Sequence, residues 1–254
     1  MTDLETCYDW VVDEPTLEEP REAFAVAVER TDPDWAEFIR VQLAAARARA
    51  AWRDDHLMSS RSRELSERHR ERWVHPVRQL VTDTWFIRGF VELVTMDAEV
   101  FLMFSEDLYR RAPVLHLNLT GVTDVVDEIF DDPHLERIVS LSLRDCALGD
   151  EGVALLARSP HLSRLEWLDL SGNGIAAPGL EALAASTSLP RLGYVGFAGN
   201  AIDDPTPRHA DEYDYTSEAG RALQERYGPR DWLDAHPRWR WPPDRDAVWP
   251  PATW

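Results

Sequence analysis

Leucines recur at a long, nearly constant interval through the middle of this chain. The sharpest copy is Leu165-Glu166-Trp167-Leu168-Asp169-Leu170-Ser171-Gly172-Asn173-Gly174-Ile175, spaced L-x-x-L-x-L-x-x-N-x-I. Leu168 and Leu170 alternate inward on a short strand, because strand side chains point to opposite faces with a period of two. Asn173 turns the chain, its side-chain amide able to satisfy backbone groups that the bend leaves unpaired. Ile175 then re-enters the core before a helix carries the chain back. Pairs of inward positions recur at Val91/Leu93, Leu117/Leu119, Leu141/Leu143, Leu168/Leu170 and Val195/Phe197, at spacings of 26, 24, 27 and 27 residues. Three residues after the second member of each pair stand Met96, Val122, Cys146, Asn173 and Asn200. A self-similar period of this length builds stacked supersecondary units that share one continuous core.

Helical patterns lie between the strand cores, over 98–109, 125–130, 151–157 and 178–185. Pro178 fits the first turn of its helix, where its missing N–H costs nothing. Strand plus helix at this period resembles the ribonuclease-inhibitor class of leucine-rich repeats. That resemblance implies an α/β leucine-rich-repeat solenoid of about five strand–helix repeats, with strands on a concave parallel sheet and helices on the convex side.

Residues 1–84 read as an α-helical N-terminal domain. The first 34 are acidic and punctuated by Pro15, Pro20 and Pro33, with a short helix over 22–30 from the spacing of Phe24 and Val28. A stronger helix follows over 34–52, with Asp34 as N-cap, then another over 57–74, and a short segment starting at Pro76 and reaching 83. Ten arginines face five acids between Arg40 and Arg78. Glu64, Glu67 and Glu71 lie three or four residues from arginines, so this reads as a solvated face pairing internally or with the acidic N-terminus, not as a nucleic-acid site.

The repeats are expected over 85–203 and a C-terminal cap over 204–254. After Ile202 comes an acidic loop, then a last helix over 217–227 ended by Gly228-Pro229. Residues 230–254 hold five of the eleven tryptophans and two Trp-Pro-Pro triplets, whose prolines favour an extended chain.

Several stretches together resemble a bacterial family that joins a short N-terminal repeat-companion domain to leucine-rich repeats. They are Asp32-Pro33-Asp34-Trp35-Ala36-Glu37-Phe38-Ile39-Arg40-Val41-Gln42, Phe86-Ile87-Arg88-Gly89-Phe90-Val91-Glu92-Leu93-Val94-Thr95, Ala112-Pro113-Val114-Leu115-His116-Leu117 and Arg226-Tyr227-Gly228-Pro229-Arg230-Asp231-Trp232-Leu233. Where that family carries a Tyr-Ala-Asp-Trp-Leu box, this chain has Phe24-Ala25-Val26-Ala27-Val28. The resemblance implies a binding scaffold and no established activity. All 27 basic residues are arginine, in keeping with a GC-rich bacterial genome.

Motifs for chemistry are missing. The eight histidines show no H-E-x-x-H and the two cysteines no C-x-x-C, so no zinc signature exists. Asp203, Asp204, His209, Asp211, Glu212 and Asp214 lack the ordered spacing of a calcium loop and read as solvated acid. No serine sits in a G-x-S-x-G elbow, and no P-loop or dinucleotide fingerprint is present. Cys146 at an inward turn position reads as an inert buried thiol, and Cys7 falls in a segment expected to be a mobile N-terminus. No catalytic residue, cofactor or metal is therefore expected. An acidic N-terminus without an apolar core, no long apolar run and few cysteines point to a cytoplasmic protein off the membrane. The net charge of −19 disfavours nucleic acid and favours a protein or peptide with a basic patch.

If the strand register holds, residues between the inward leucines form columns on the other sheet face: Phe90, His116, Ser140, Trp167, Tyr194, then Glu92, Asn118, Ser142, Asp169, Gly196, then Val94, Thr120, Arg144, Ser171, Ala198. The expected partner-binding residues are His116, Arg144, Trp167, Asp169 and Tyr194, with Trp167 and Tyr194 facing solvent on adjacent strands. Two readings stand side by side: this face meets a partner, or the Trp-rich tail or an N-terminal helix covers its aromatics. The expected function is a non-enzymatic binding scaffold. The alternative is an accessory or substrate-presenting subunit whose tail over 236–254 is the recognised segment. The sequence leaves the oligomeric state open.

Overall fold

The structure is a computed structural model that describes residues 3–51, 56–201 and 218–233. The described chain is mixed α/β and divides into two compact units: residues 3–51, 56–94 and 106–115, and residues 95–105, 116–201 and 218–233.

The first unit begins with four helices, α1 (Leu4–Asp13), α2 (Glu19–Val28), α3 (Pro33–Ala50) and α4 (His56–Val74). Helix α1 corrects the expectation of a mobile N-terminus. Cys7 and Val11 lie one turn apart and are buried against Phe24, Ala25 and Ile39. The N-cap of α3 is Asp32, not Asp34: Pro33 occupies the first helical position, so the residue before it caps, and Asp32 Oδ1 accepts from the Trp35 N–H at 3.1 Å. Asp34 instead pairs with His69 at 2.7 Å. The segment expected from Pro76 is a run of turns that ends in a strand, β1 (Asp83–Ile87), spanning the expected boundary at 84/85.

Arg88 and Gly89 link β1 to β2 (Phe90–Asp97), with φ of 51° and 93°. A two-residue hairpin turn of type I′ needs two such left-handed residues. A Cβ at Gly89 would lie 2.7 Å from the Ile39 backbone, so only glycine lets the turn sit on α3. The Gly89 carbonyl accepts from Trp35 Nε1 at 3.0 Å, and its N–H donates to Gln42 Oε1 at 2.6 Å. Thus two of the quoted motifs, one on α3 and one on the hairpin, form a single docking contact.

Below the turn lies a buried charge triad. Arg21 and Glu92 are fully buried, with Arg21 Nη1 2.9 Å from Glu92 Oε1. Arg88 Nη2 lies 2.6 Å from Glu92 Oε2. The two guanidiniums also donate to the Pro15 carbonyl, at 2.6 Å and 3.0 Å. Burial pulls the Arg21 pKa down to about 10, partly offset by Glu92. Glu92 was expected beside solvent in the second column; it is instead the shared anion of two arginines.

Charge pairing elsewhere in this unit follows the expectation for the basic stretch. Arg47 meets Glu18 and Glu22, Arg40 meets Glu29, Arg61 meets Glu37 and Glu64, and Arg72 meets Asp32.

Helix α5 (Ala98–Arg111) is divided between the two units after Ser105. Then come β3 (His116–Thr120), α6 (Val126–Phe130), β4 (Ser140–Ser142), α7 (Gly149–Leu156), β5 (Trp167–Asp169), α8 (Ala177–Ala185), β6 (Tyr194–Gly196) and α9 (Glu218–Tyr227). Strands β3 to β6 pair in parallel and in register, Leu117 on Leu141, Leu141 on Leu168 and Leu168 on Val195. These inward residues are wholly buried.

Two ladders hold the units of the repeat together. Asn173 Oδ1 accepts from the N–H groups of Cys146 and Leu148, and Asn173 Nδ2 donates to the carbonyls of Leu143, Leu170 and Ser171. Asn200, 27 residues on, treats Asn173 N–H, Ile175 N–H and the Leu170 carbonyl in the same way. Behind the helices, Ser159 Oγ donates to the Phe130 carbonyl and Ser186 Oγ, one repeat later, to the Ala157 carbonyl, each at 2.6 Å. Asp150 caps α8 across the repeat, accepting from Ala176 and Gly179 N–H at 2.8 and 2.9 Å. The last helix ends at Gly228, as expected, with φ of 81°. Buried Trp232 beyond it packs 6.0 Å from Phe197.

Candidate functional site

The parallel register aligns His116, Ser140, Trp167 and Tyr194 in one column and Asn118, Ser142, Asp169 and Gly196 in the next, on the sheet face opposite the leucines. Adjacent parallel strands lie about 4.8 Å apart, so flat rings at one register level can stack. Trp167 and Tyr194 do so, with centroids 5.4 Å apart and planes 10° from parallel. Trp167 is only 4% exposed, which corrects the expectation that it faces solvent, and Tyr194 stacks on one face of its ring. Tyr194 itself is half-buried, and His116 is buried.

One register level on, Arg144 reaches across to Asp169, its Nε and Nη2 both 3.2 Å from Oδ2. Asp169 Oδ1 accepts from Ser171 N–H and Oγ at 2.9 and 2.6 Å, so this buried carboxylate is fully engaged. The Arg144 side chain remains 44% exposed. Of the five residues expected at a partner surface, Arg144 and Tyr194 are therefore accessible. Trp167 and Asp169 stand behind them as supports. Ser140 Oγ, in the same column, is buried without a hydrogen-bond partner among the described residues.

Among the described residues this face offers a planar aromatic, Tyr194, and an exposed cation, Arg144. Cys146 is buried; its Sγ donates to the Leu119 carbonyl at 3.4 Å, and desolvation pushes the thiol pKa up, away from a nucleophilic thiolate. Among the described residues no group of three or more His, Cys, Asp or Glu side chains is placed to hold a metal ion, and no helix is long and apolar enough to cross a membrane. The acidic cluster from Asp203 to Asp214 and the tail over 236–254 lie outside the described residues.

The sequence pattern missed the supports: Ser159, Ser186 and Asp150. The repeat spacing of the two serines is visible in the sequence, but only the offset of their acceptors shows what they hold.

Residues 138–157 and 161–184 match a family model described as Leucine Rich repeat. The match supports a leucine-rich-repeat protein, and it falls on β4 to α8, where leucine spacing and the Asn173 ladder are most regular. A search of curated proteins finds no match.

Proposed function

We propose that the chain is a non-enzymatic scaffold that binds a protein or peptide on the strand face of a short leucine-rich-repeat solenoid. The observation that carries this reading is the nearly parallel Trp167–Tyr194 stack beside the Arg144–Asp169 pair, on the sheet face that the leucine core does not use. Stacked repeats present their strands as an extended binding surface. An aromatic and an arginine backed by rigid neighbours have the composition of an interface hot spot. Tyr194 and Arg144 touch the partner; Trp167 fixes the Tyr194 ring, and Asp169 fixes the guanidinium. Arg144 is matched by Asp169 on this face, so recognition here rests on the planar groups more than on the acidity of the whole chain.

The test compares wild type with an Arg144→Ala/Tyr194→Ala variant in affinity capture from the host lysate, read by mass spectrometry. The scaffold reading expects a partner held by wild type and lost by the variant while circular dichroism shows the variant still folded. A partner retained equally by both would remove the strand face as the site.

A further inference from the structure

We infer that the first unit carries a second recognition site: a groove between α3, α4 and β1 that takes an extended, acidic protein segment. The groove has a volume of about 550 Å³, within the range of about 300–1,000 Å³ typical of ligand sites. Its α4 wall runs from His56 to Arg70, roughly 21 Å at the helical rise. That is the span of about six residues of extended peptide, and longer than a compact small molecule needs.

The lining reverses the sign of the chain. Among the described residues, Arg49, Arg63, Arg70 and Arg88 border the groove against one carboxylate, Glu67, in a protein of net charge −19. Arg70 is held by Asp83 and Arg88 by Glu92. Arg63 is exposed and makes no ion pair among the described residues, although most arginines around it are paired. Arg63 and Arg70 stand two helical turns apart, about 10 Å, and carboxylates two residues apart on one face of an extended chain, about 7 Å, come within reach of both long side chains. Ser62 and Ser66, on the same stripe of α4, keep this wall low, and half-buried Trp85 on β1 faces it with a planar surface.

Recognition here runs through side chains. The outward carbonyls of β1 are already taken, Thr84 by Arg70 Nη2 and Phe86 by Gln42 Nε2, so a peptide cannot simply add as another strand. A nucleic acid fits less well than a peptide: its dense phosphate charge meets the repulsion of a strongly acidic chain, whereas two carboxylates meet little of it.

The test uses the full chain and a fluorescein-labelled octapeptide carrying two aspartates separated by one residue, with its asparagine counterpart, followed by fluorescence anisotropy at low salt. The aspartate peptide is expected to bind about tenfold tighter than the asparagine peptide. Arg63→Glu should weaken it about tenfold, whereas Arg78→Glu, the same charge change outside the groove, should leave it within about twofold. Ser66→Met fills the groove without altering charge and should also weaken binding. The inference fails if the two peptides bind alike, if neither binds, if Arg78→Glu costs as much as Arg63→Glu, or if a single-stranded oligonucleotide displaces the peptide.

Discussion

The two units hold their backbones by opposite means. In the second, one solution is repeated: an asparagine in the turn, a serine behind the helix, a left-handed residue at a fixed place, each bonded to backbone one repeat away. In the first, a single contact is assembled from residues far apart in sequence: Arg21, Trp35, Gln42, Arg88 and Glu92 converge on one hairpin turn. Periodic bonding spreads stability over interchangeable pieces. The hairpin contact concentrates it, so a single change there should cost more than any single change in the ladder.

The largest expected effect tests that concentration directly. Glu92→Ala leaves Arg21 buried beside Arg88 without their common anion, and removing one partner of a buried pair costs about 3–5 kcal/mol. Urea unfolding should show this loss. An Arg21→Met/Glu92→Leu double variant should recover most of it, because apolar groups of similar volume need no charge compensation. If Glu92→Ala costs no more than a surface substitution, the contrast between the units collapses.

Within the ladder, Asn173→Ala removes the acceptor of two buried N–H groups and a donor to the Leu143 carbonyl, while the Leu170 and Ser171 carbonyls keep Asn200 Nδ2 and the Asp145 N–H, and should cost about 3 kcal/mol. Asn200→Ala should cost only about 1 kcal/mol, because Asn200 is half-buried and water can replace its amide. Hydrogen exchange gives the local readout: the amides of Cys146 and Leu148 should accelerate in the first variant and stay protected in the second. Equal losses would show that the ladder is not graded by burial.

This contrast also explains what a single sequence reveals. The strand cores, their register and the role of Asn173 follow from leucine spacing, because a repeat states the same constraint several times. The site is half legible by the same route: spacing puts Trp167 beside Tyr194 and brings Arg144 within reach of Asp169, but it does not show that Trp167 is buried. Helix α1 is harder to see, because Cys7 and Val11 are the sparse apolar face of an acidic segment and gain meaning only against Phe24 and Ile39. Glu92 is harder still. Its position in a strand column reads as solvent-facing, and only the distant Arg21 turns it inward.

The smallest expected effect has the opposite sign and comes from an irregularity in the repeat itself. The turn around Asn173 uses two left-handed residues, Gly172 and Gly174, with φ of 70° and 68°. One repeat earlier the same places are held by Asp145 and Ala147, with φ of 56° and 49°. Aspartate tolerates this region through its short polar side chain, but alanine gains nothing there and carries a steric cost of roughly 1–2 kcal/mol. Ala147 is exposed, so its methyl group contributes no packing to offset that cost. Ala147→Gly should therefore stabilise the chain by about 1 kcal/mol, less than the full steric relief because glycine also enlarges the unfolded ensemble. Thermal unfolding would read this as a small rise in Tm. Asp145→Gly, at the neighbouring place, should gain less. A loss on Ala147→Gly would mean that the turn before Asn173 is not equivalent to the one around it, and that the repeat's regularity ends one unit sooner than its hydrogen bonds imply.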